Sequence, residues 1–298
     1  MAAAFPRQST NPKEERIVVR APSRHRPISL APLTVLELSP PELVACAAEA
    51  GYDAVGLRLI RATEDEPLRP TIGSTPMIRE TRKRLDDTGL FLLDIEVLRL
   101  RPDTNVRDEF GAFLETGAYL GAQQILVTGN DPDHRRLADN LAELGHFAEE
   151  FGMTPNLEPM PWTDVRDLDE AAVIVRRCNG SAVGVLVDAL HYDRALATPE
   201  DLRALPAEWM RYVQICDAVL PRPKAIDELR HQGRNARLFP GEGCIDLVAM
   251  LQALPTVPAS VEAPIEWKAP PGVRARAALR AARVVVARAD AGRPQLSA

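Results

Sequence analysis

Apolar and polar positions along the chain follow a unit that recurs four times. A stretch with apolar residues at helical spacing ends at a glycine, and a short apolar run follows. The helical stretches at 42–50, 77–88, 108–120 and 137–151 end at Gly51, Gly89, Gly121 and Gly152, and the apolar runs at 54–59, 90–97, 124–127 and 154–157 come next. These glycines lie 38, 32 and 31 residues apart. Glycine just past a helix end supplies the left-handed stop. A short apolar run bounded by turns suits a strand covered on both faces of a parallel sheet. Helix-then-strand units of this length predict a parallel sheet with helical crossovers.

The second half continues less regularly. Strands are expected at 183–187, 212–215 and 259–261, a first strand at 28–36, and a closing helix at 273–289. That makes eight strands, near 28, 54, 90, 124, 154, 183, 212 and 259. Eight strands with eight crossovers in about 265 residues match an α/β fold of one kind, the single (β/α)8 TIM barrel. The alternative, an open doubly wound sheet, lacks its usual signature, because no GxGxxG follows the first strand. The expected organisation is an N-terminal arm over 1–26, the barrel over 27–289 and a short tail over 290–298.

Composition narrows the function. The chain of 298 residues has 46% hydrophobic and 26% charged residues and a net charge of −6. An acidic chain of this kind is not expected to carry nucleic acid. No apolar run approaches a membrane span of about 18 residues, and no signal peptide opens the chain, so the expected location is the cytoplasm. The four cysteines, Cys46, Cys178, Cys216 and Cys244, form no CxxC pair and read as reduced thiols.

In such a barrel the chemistry lies at the C-terminal ends of the strands. Strand five ends in Asn156-Leu157-Glu158, strand six in Val187-Asp188 with His191 just after, strand seven carries Gln214-Ile215-Cys216-Asp217, and strand eight ends in Val261-Glu262. Each acidic residue alone reads equally well as a helix cap or a surface turn. Together, Glu158, Asp188, Gln214 and Glu262, spaced by 30, 26 and 48 residues, would crowd three carboxylates and an amide into one barrel mouth. Three carboxylates there repel one another unless a cation neutralises them. An all-oxygen donor set suits Mg²⁺ or Mn²⁺ better than Zn²⁺.

These motifs, with Pro240-Gly241-Glu242-Gly243 and the early Gly51-Tyr52-Asp53-Ala54-Val55-Gly56-Leu57-Arg58, resemble the xylose isomerase-like TIM barrels. That family is often labelled sugar phosphate isomerases/epimerases, and one branch is the family 2 apurinic endonucleases. The resemblance covers roughly residues 27–289 and implies one divalent metal ion, Mn, Mg or Co ahead of Zn, on Glu158, Asp188, Gln214 and Glu262. It implies acid/base roles for Glu158 and Glu262, and a homodimer. The third ligand is often His in the family, and Gln214 in its place is similar to the 3-dehydroshikimate dehydratase branch. The endonuclease branch uses several metals and many histidines; here only His191 of five histidines falls at a strand exit.

The expected function is therefore a metal-dependent sugar isomerase or epimerase. Its substrate would be a small-molecule keto sugar or a cyclic polyhydroxy keto acid, and it would act through an enolate or enediolate. Two alternatives stay open: a lyase of the 3-dehydroshikimate dehydratase type, and a non-catalytic sugar-binding barrel. In a dehydratase His191 suits the base, since a neutral imidazole takes a proton near pH 7; as a structural group it would only orient Asp188. Arg58, Glu96 and Arg237 are candidate substrate contacts. Each has a plainer reading, such as an ion pair between Glu96 and Arg58 or Arg99. Trp162 reads as a pocket wall or ordinary packing, Glu242 as part of a tight turn or a group facing the pocket, and Lys268 as a surface lysine or one that reaches the substrate. The proline- and charge-rich segment 219–236 reads as a solvated face or a lid over the mouth.

Overall fold

The computed structural model describes residues 26–292. Residues 1–25 of the expected arm, with His25, and 293–298 of the expected tail lie outside the described residues. The first half runs β1 (Ile28–Leu30), α1 (Pro40–Ala50), β2 (Ala54–Arg58), α2 (Pro76–Thr88), β3 (Phe91–Leu100), α3 (Val106–Leu120), β4 (Gln124–Gly129), α4 (His134–Glu149) and β5 (Thr154–Glu158). The second half runs α5 (Leu168–Arg177), β6 (Gly184–Val185), β7 (Val187–Asp188), α6 (Ala189–Arg194), α7 (Pro199–Ala204), β8 (Val213–Ile215), α8 (Ile226–Asn235), α9 (Leu247–Ala253), β9 (Ala259–Val261) and α10 (Pro271–Ala291).

Every strand pairing is parallel, in the order β6-β5-β4-β3-β2-β1-β9-β8-β7. β6 and β7 are two halves of one strand, separated by Leu186, whose N–H donates to Leu157 O at 2.9 Å. The ends of the sheet therefore meet, and the fold is the expected α/β TIM barrel. Among the described residues no helix is long and apolar enough to cross a membrane.

Local chemistry sets the element ends. Ser39 and Glu42 close a capping box on α1, and Asn105, Asp133 and Asp167 cap α3, α4 and α5. Gly51, with φ 92°, ends α1, and its N–H reaches two carbonyls of the last turn. The first strand is shorter than expected, because Pro32 offers no N–H and opens a 3-10 turn over Pro32–Val35.

The main core lies between sheet and helices, where Leu57, Phe113, Leu141 and Ile174 are buried. A smaller cluster of Ala54, Leu93, Val97, Leu126, Leu186 and Tyr212 fills part of the barrel interior. The rest of the interior is polar: Ser29, Asp94, Asn156 and Ser260 are fully or almost fully buried.

Candidate functional site

Strand register builds the site. Glu158 stands opposite Thr128 on β4, Asp188 pairs directly with Gln214, and the N–H of Glu262 donates to Ile215 O at 3.1 Å. The four strand-exit residues are all buried. His191 Nε2 lies 3.6 Å from Glu158 Oε1 and 3.7 Å from Asp188 Oδ1. Gln214 Nε2 donates to Glu262 Oε1 at 3.2 Å, and its own Oε1 is buried without a hydrogen-bond partner. Asp188 does two jobs: Oδ1 accepts the His191 N–H at 3.0 Å as the cap of α6, and Oδ2 faces Arg237. The helix-cap reading of this residue therefore holds, and its second oxygen is left to the cluster.

Arg237 is the cation inside the cluster. Nη1 donates to Asp188 Oδ2 at 2.6 Å, and Nη2 lies 3.0 Å from Glu262 Oε2. Nε donates to Gly233 O at 2.7 Å, which ties the cluster to α8. The guanidinium fork is thus committed to two carboxylates that also fall in the expected ligand set.

Electrostatics separate the carboxylates. Burial, then Glu262 and Asp188, push Glu158 well above the usual carboxylate range. Burial raises Glu262 to about 7 against the pull of Arg237. For Asp188 burial pushes up, but Arg237 and His191 outweigh it and hold the carboxyl low. Burial lowers His191 to about 4, so its imidazole is neutral at pH 7.

Metal-free protein should feel the Glu262 shift. The native state keeps a proton at Glu262 that the unfolded chain has released, so this contribution is full below about 4.5 and disappears as pH rises through about 7. Chelator-treated wild type should lose stability relative to Glu262→Gln across that window, on the order of 3 kcal/mol. Melting temperature against pH for the two proteins measures it; parallel curves would refute the shift.

Arg58 and Glu96 face each other in register across β2 and β3. Arg58 Nε donates to Glu96 Oε1 at 2.8 Å, and Nη1 reaches Glu66 Oε1 at 2.8 Å. Both line up as the plainer reading has it, with Glu66 an unforeseen partner from the loop after β2. Trp162 lines the cavity and packs edge-on to His191 with ring centres 4.7 Å apart. A Cβ on Gly233 would come within 2.5 Å of that indole, so glycine is needed where α8 crosses it. Asp217 lies outside the cluster: its carboxylate accepts from the N–H groups of Ala218, Gly241 and Ile245 and folds the glycine-flanked turn. Glu242 and Lys268 are exposed away from the cluster.

The segment expected as a solvated face or a lid contains α8. It is pinned to α6 by Arg194, which donates to Gln232 and Val219 O, and by a bidentate Arg222–Asp193 pair at 2.8 Å. Between α8, the loop after β2 and the strand ends lies a cavity of 450 Å³ with Glu158, His191, Arg237 and Glu262 among its lining residues. That size suits a small ligand. Arg99 and Arg234 also line it. The sequence carries no periodic signal for Arg234, and Arg99 read only as a partner for Glu96.

Glu158, Asp188 and His191 each offer one donor atom within 4.8 Å of the others and so could hold a metal ion. The sequence profile of the xylose isomerase-like TIM barrel matches residues 44–284. The chain belongs to that family. Among similar proteins, the 3-dehydroshikimate dehydratase of Pseudomonas aeruginosa is 28% identical over 228 residues, 71% of this chain and 33% of that protein. The inosose isomerase of Bacillus subtilis is 29% identical over 157 residues, 49% of this chain and 54% of that protein. The chain thus spans about a third of the dehydratase and about half of the isomerase. The crystal structure of the IOLI protein with a bound zinc atom superposes with a TM-score of 0.71 at 23% identity, covering 88% of this chain and 98% of that one. At that identity the likeness speaks for the fold.

Proposed function

We propose that the chain is a divalent-metal-dependent isomerase or epimerase acting on a small polyhydroxylated keto compound through an enolate or enediolate. One observation carries this reading: Glu158, Asp188, Gln214 and Glu262 form one linked, buried cluster, and Glu158 and Glu262 of it line a cavity of ligand size. The donor set fits a metal. Gln214 Oε1 is buried and unpartnered, and among the described residues Arg237 is the one full positive charge in direct contact with the carboxylates of the site. Glu158, Asp188, Gln214 and Glu262 would hold the ion, an oxygen set that favours Mn, Mg or Co over Zn; the donors already within 4.8 Å of one another are those of Glu158, Asp188 and His191, so His191 is the alternative third ligand. Bound there, it would polarise the substrate oxygen as a Lewis acid.

The chain's own residues supply the proton chemistry. Glu262, on the cavity wall beside Gln214 and Arg237, would take a proton from the carbon beside the carbonyl. Glu158, buried across the same cavity, would return the proton. Arg237 holds the Asp188 and Glu262 carboxylates in place, and Trp162 walls the ring face of the ligand. The lyase reading keeps one specific support, Gln214 at the third ligand position, together with the dehydratase relatives. There His191, neutral and facing Glu158, would be the base.

Elemental analysis of the purified protein, with thermal shift on adding Mn²⁺, Mg²⁺ or Co²⁺, tests the site. The expected result is roughly one ion per chain and a stabilisation that Glu158→Ala loses, as ligand binding to the native state alone requires. No bound metal and no shift with any of the three ions would overturn the metal reading. Screening 3-dehydroshikimate and keto sugars then separates the reactions, since dehydration to an aromatic product adds ultraviolet absorbance and isomerisation does not.

A further inference from the structure

Two arginines expected at the substrate are already spent on protein carboxylates. Arg58 is held by Glu96 and Glu66, and Arg237 by Asp188 and Glu262. A third, Arg99 on β3, lines the same cavity and is not spent in this way. It is partly buried; Nη2 donates to Ala62 O at 2.6 Å, and Nη1 lies 3.5 Å from Thr128 Oγ1. Among the described residues it forms no ion pair with a carboxylate. Arg234 on α8 lines the cavity too and likewise forms none among the described residues.

The surroundings of Arg99 are cationic. Burial first, then Arg101, Arg234 and Arg58, disfavour its charge, and Glu66 is the acid that opposes them. Glu66 is engaged elsewhere: Oε1 takes Arg58, and Oε2 accepts the Ala62 N–H at 3.0 Å. Asp65, which also lines the cavity, is exposed; its carboxyl is held low first by Thr63 and also by Arg234, and it forms no salt bridge with Arg99 among the described residues. A guanidinium stays protonated, so its charge cannot be shed. Partly buried without a counter-ion, it raises the free energy of the empty pocket. A ligand bringing its own negative group relieves that cost and gains charge-assisted, bidentate hydrogen bonds.

We propose that Arg99 and Arg234 form an anion subsite on the cavity wall, and that the substrate carries a carboxylate or phosphate as well as its keto and hydroxyl groups. This deepens the reading above and rests on that cavity being the substrate pocket. An uncharged keto sugar leaves Arg99 uncompensated; a cyclic polyhydroxy keto acid does not.

Calorimetric titration of the Mn²⁺-loaded protein tests it with three probes: shikimate, methyl shikimate and inorganic phosphate. Shikimate should bind at least about tenfold more tightly than its uncharged ester. Arg99→Gln should remove that preference and leave Mn²⁺ affinity unchanged. Arg234→Gln, at an exposed position, should reduce the preference in part. Phosphate competing more strongly than shikimate assigns the anion as phosphate, and the reverse assigns it as carboxylate. Equal binding of acid and ester, no binding of either anion, or a preference that survives both substitutions overturns the subsite. Failure of Mn²⁺ to bind wild type strikes the metal reading instead, and acid-against-ester discrimination then still reports on Arg99 in the metal-free protein.

Discussion

Glu262→Gln and Glu158→Gln should each lower turnover by about 10²- to 10⁴-fold or more while the fold stays intact. Glutamine keeps the shape and one oxygen of each side chain but cannot take or give the proton. Both positions are buried and both carboxyls are raised by that burial, so removing their charge relieves repulsion. The variants should therefore melt no lower than wild type without metal, and the activity loss cannot be ascribed to unfolding. The check is turnover with whichever substrate the screen identifies, beside melting temperature and circular dichroism. Undiminished turnover in both variants would withdraw the acid/base assignment.

Arg237→Met should have the largest effect on stability. The guanidinium is almost fully buried between Asp188 and Glu262, and its loss leaves two carboxylates facing each other without a cation. Removing one partner of a buried ion pair costs about 3–5 kcal/mol. In a domain of this size that corresponds to a fall of about 10 °C in melting temperature. The deficit should be largest in chelator and much smaller with saturating Mn²⁺, because a divalent ion would supply the missing charge. Equal melting of variant and wild type in chelator would mean that the pair carries no weight. A deficit that Mn²⁺ leaves untouched would count against the ligand set.

The barrel was legible because its helix stops are glycines with a physical reason to be there. Gly51, Gly89 and Gly121 follow α1, α2 and α3 with φ of 92°, 69° and 83°. The linked cluster was legible because parallel register carries strand-end residues to one mouth: Asp188 stands opposite Gln214, and Glu262 follows β9. Strands of two or three residues, such as β6, β7 and β8, show no period of their own, and four short helices between β7 and β9 blur the spacing. That is why the second half reads less clearly than the first. Side-chain pairing through loops was not legible at all. Nothing in the sequence says that Glu66 occupies Arg58, which moves the free positive charge to Arg99. Asp217 reads as one more acidic strand exit until its three backbone N–H donors are seen.

Asp188 closes a helix with one oxygen and holds the site's arginine with the other. Redesign of this barrel toward a new reaction therefore has unequal freedom at its four strand exits. Glu158, Gln214 and Glu262 can be varied in a library with the start of every helix left alone. At position 188 a substitution must satisfy a helix start and the Arg237 contact at once, so survivors there should narrow to Asp and, where a neutral group is tolerated, Asn or Ser.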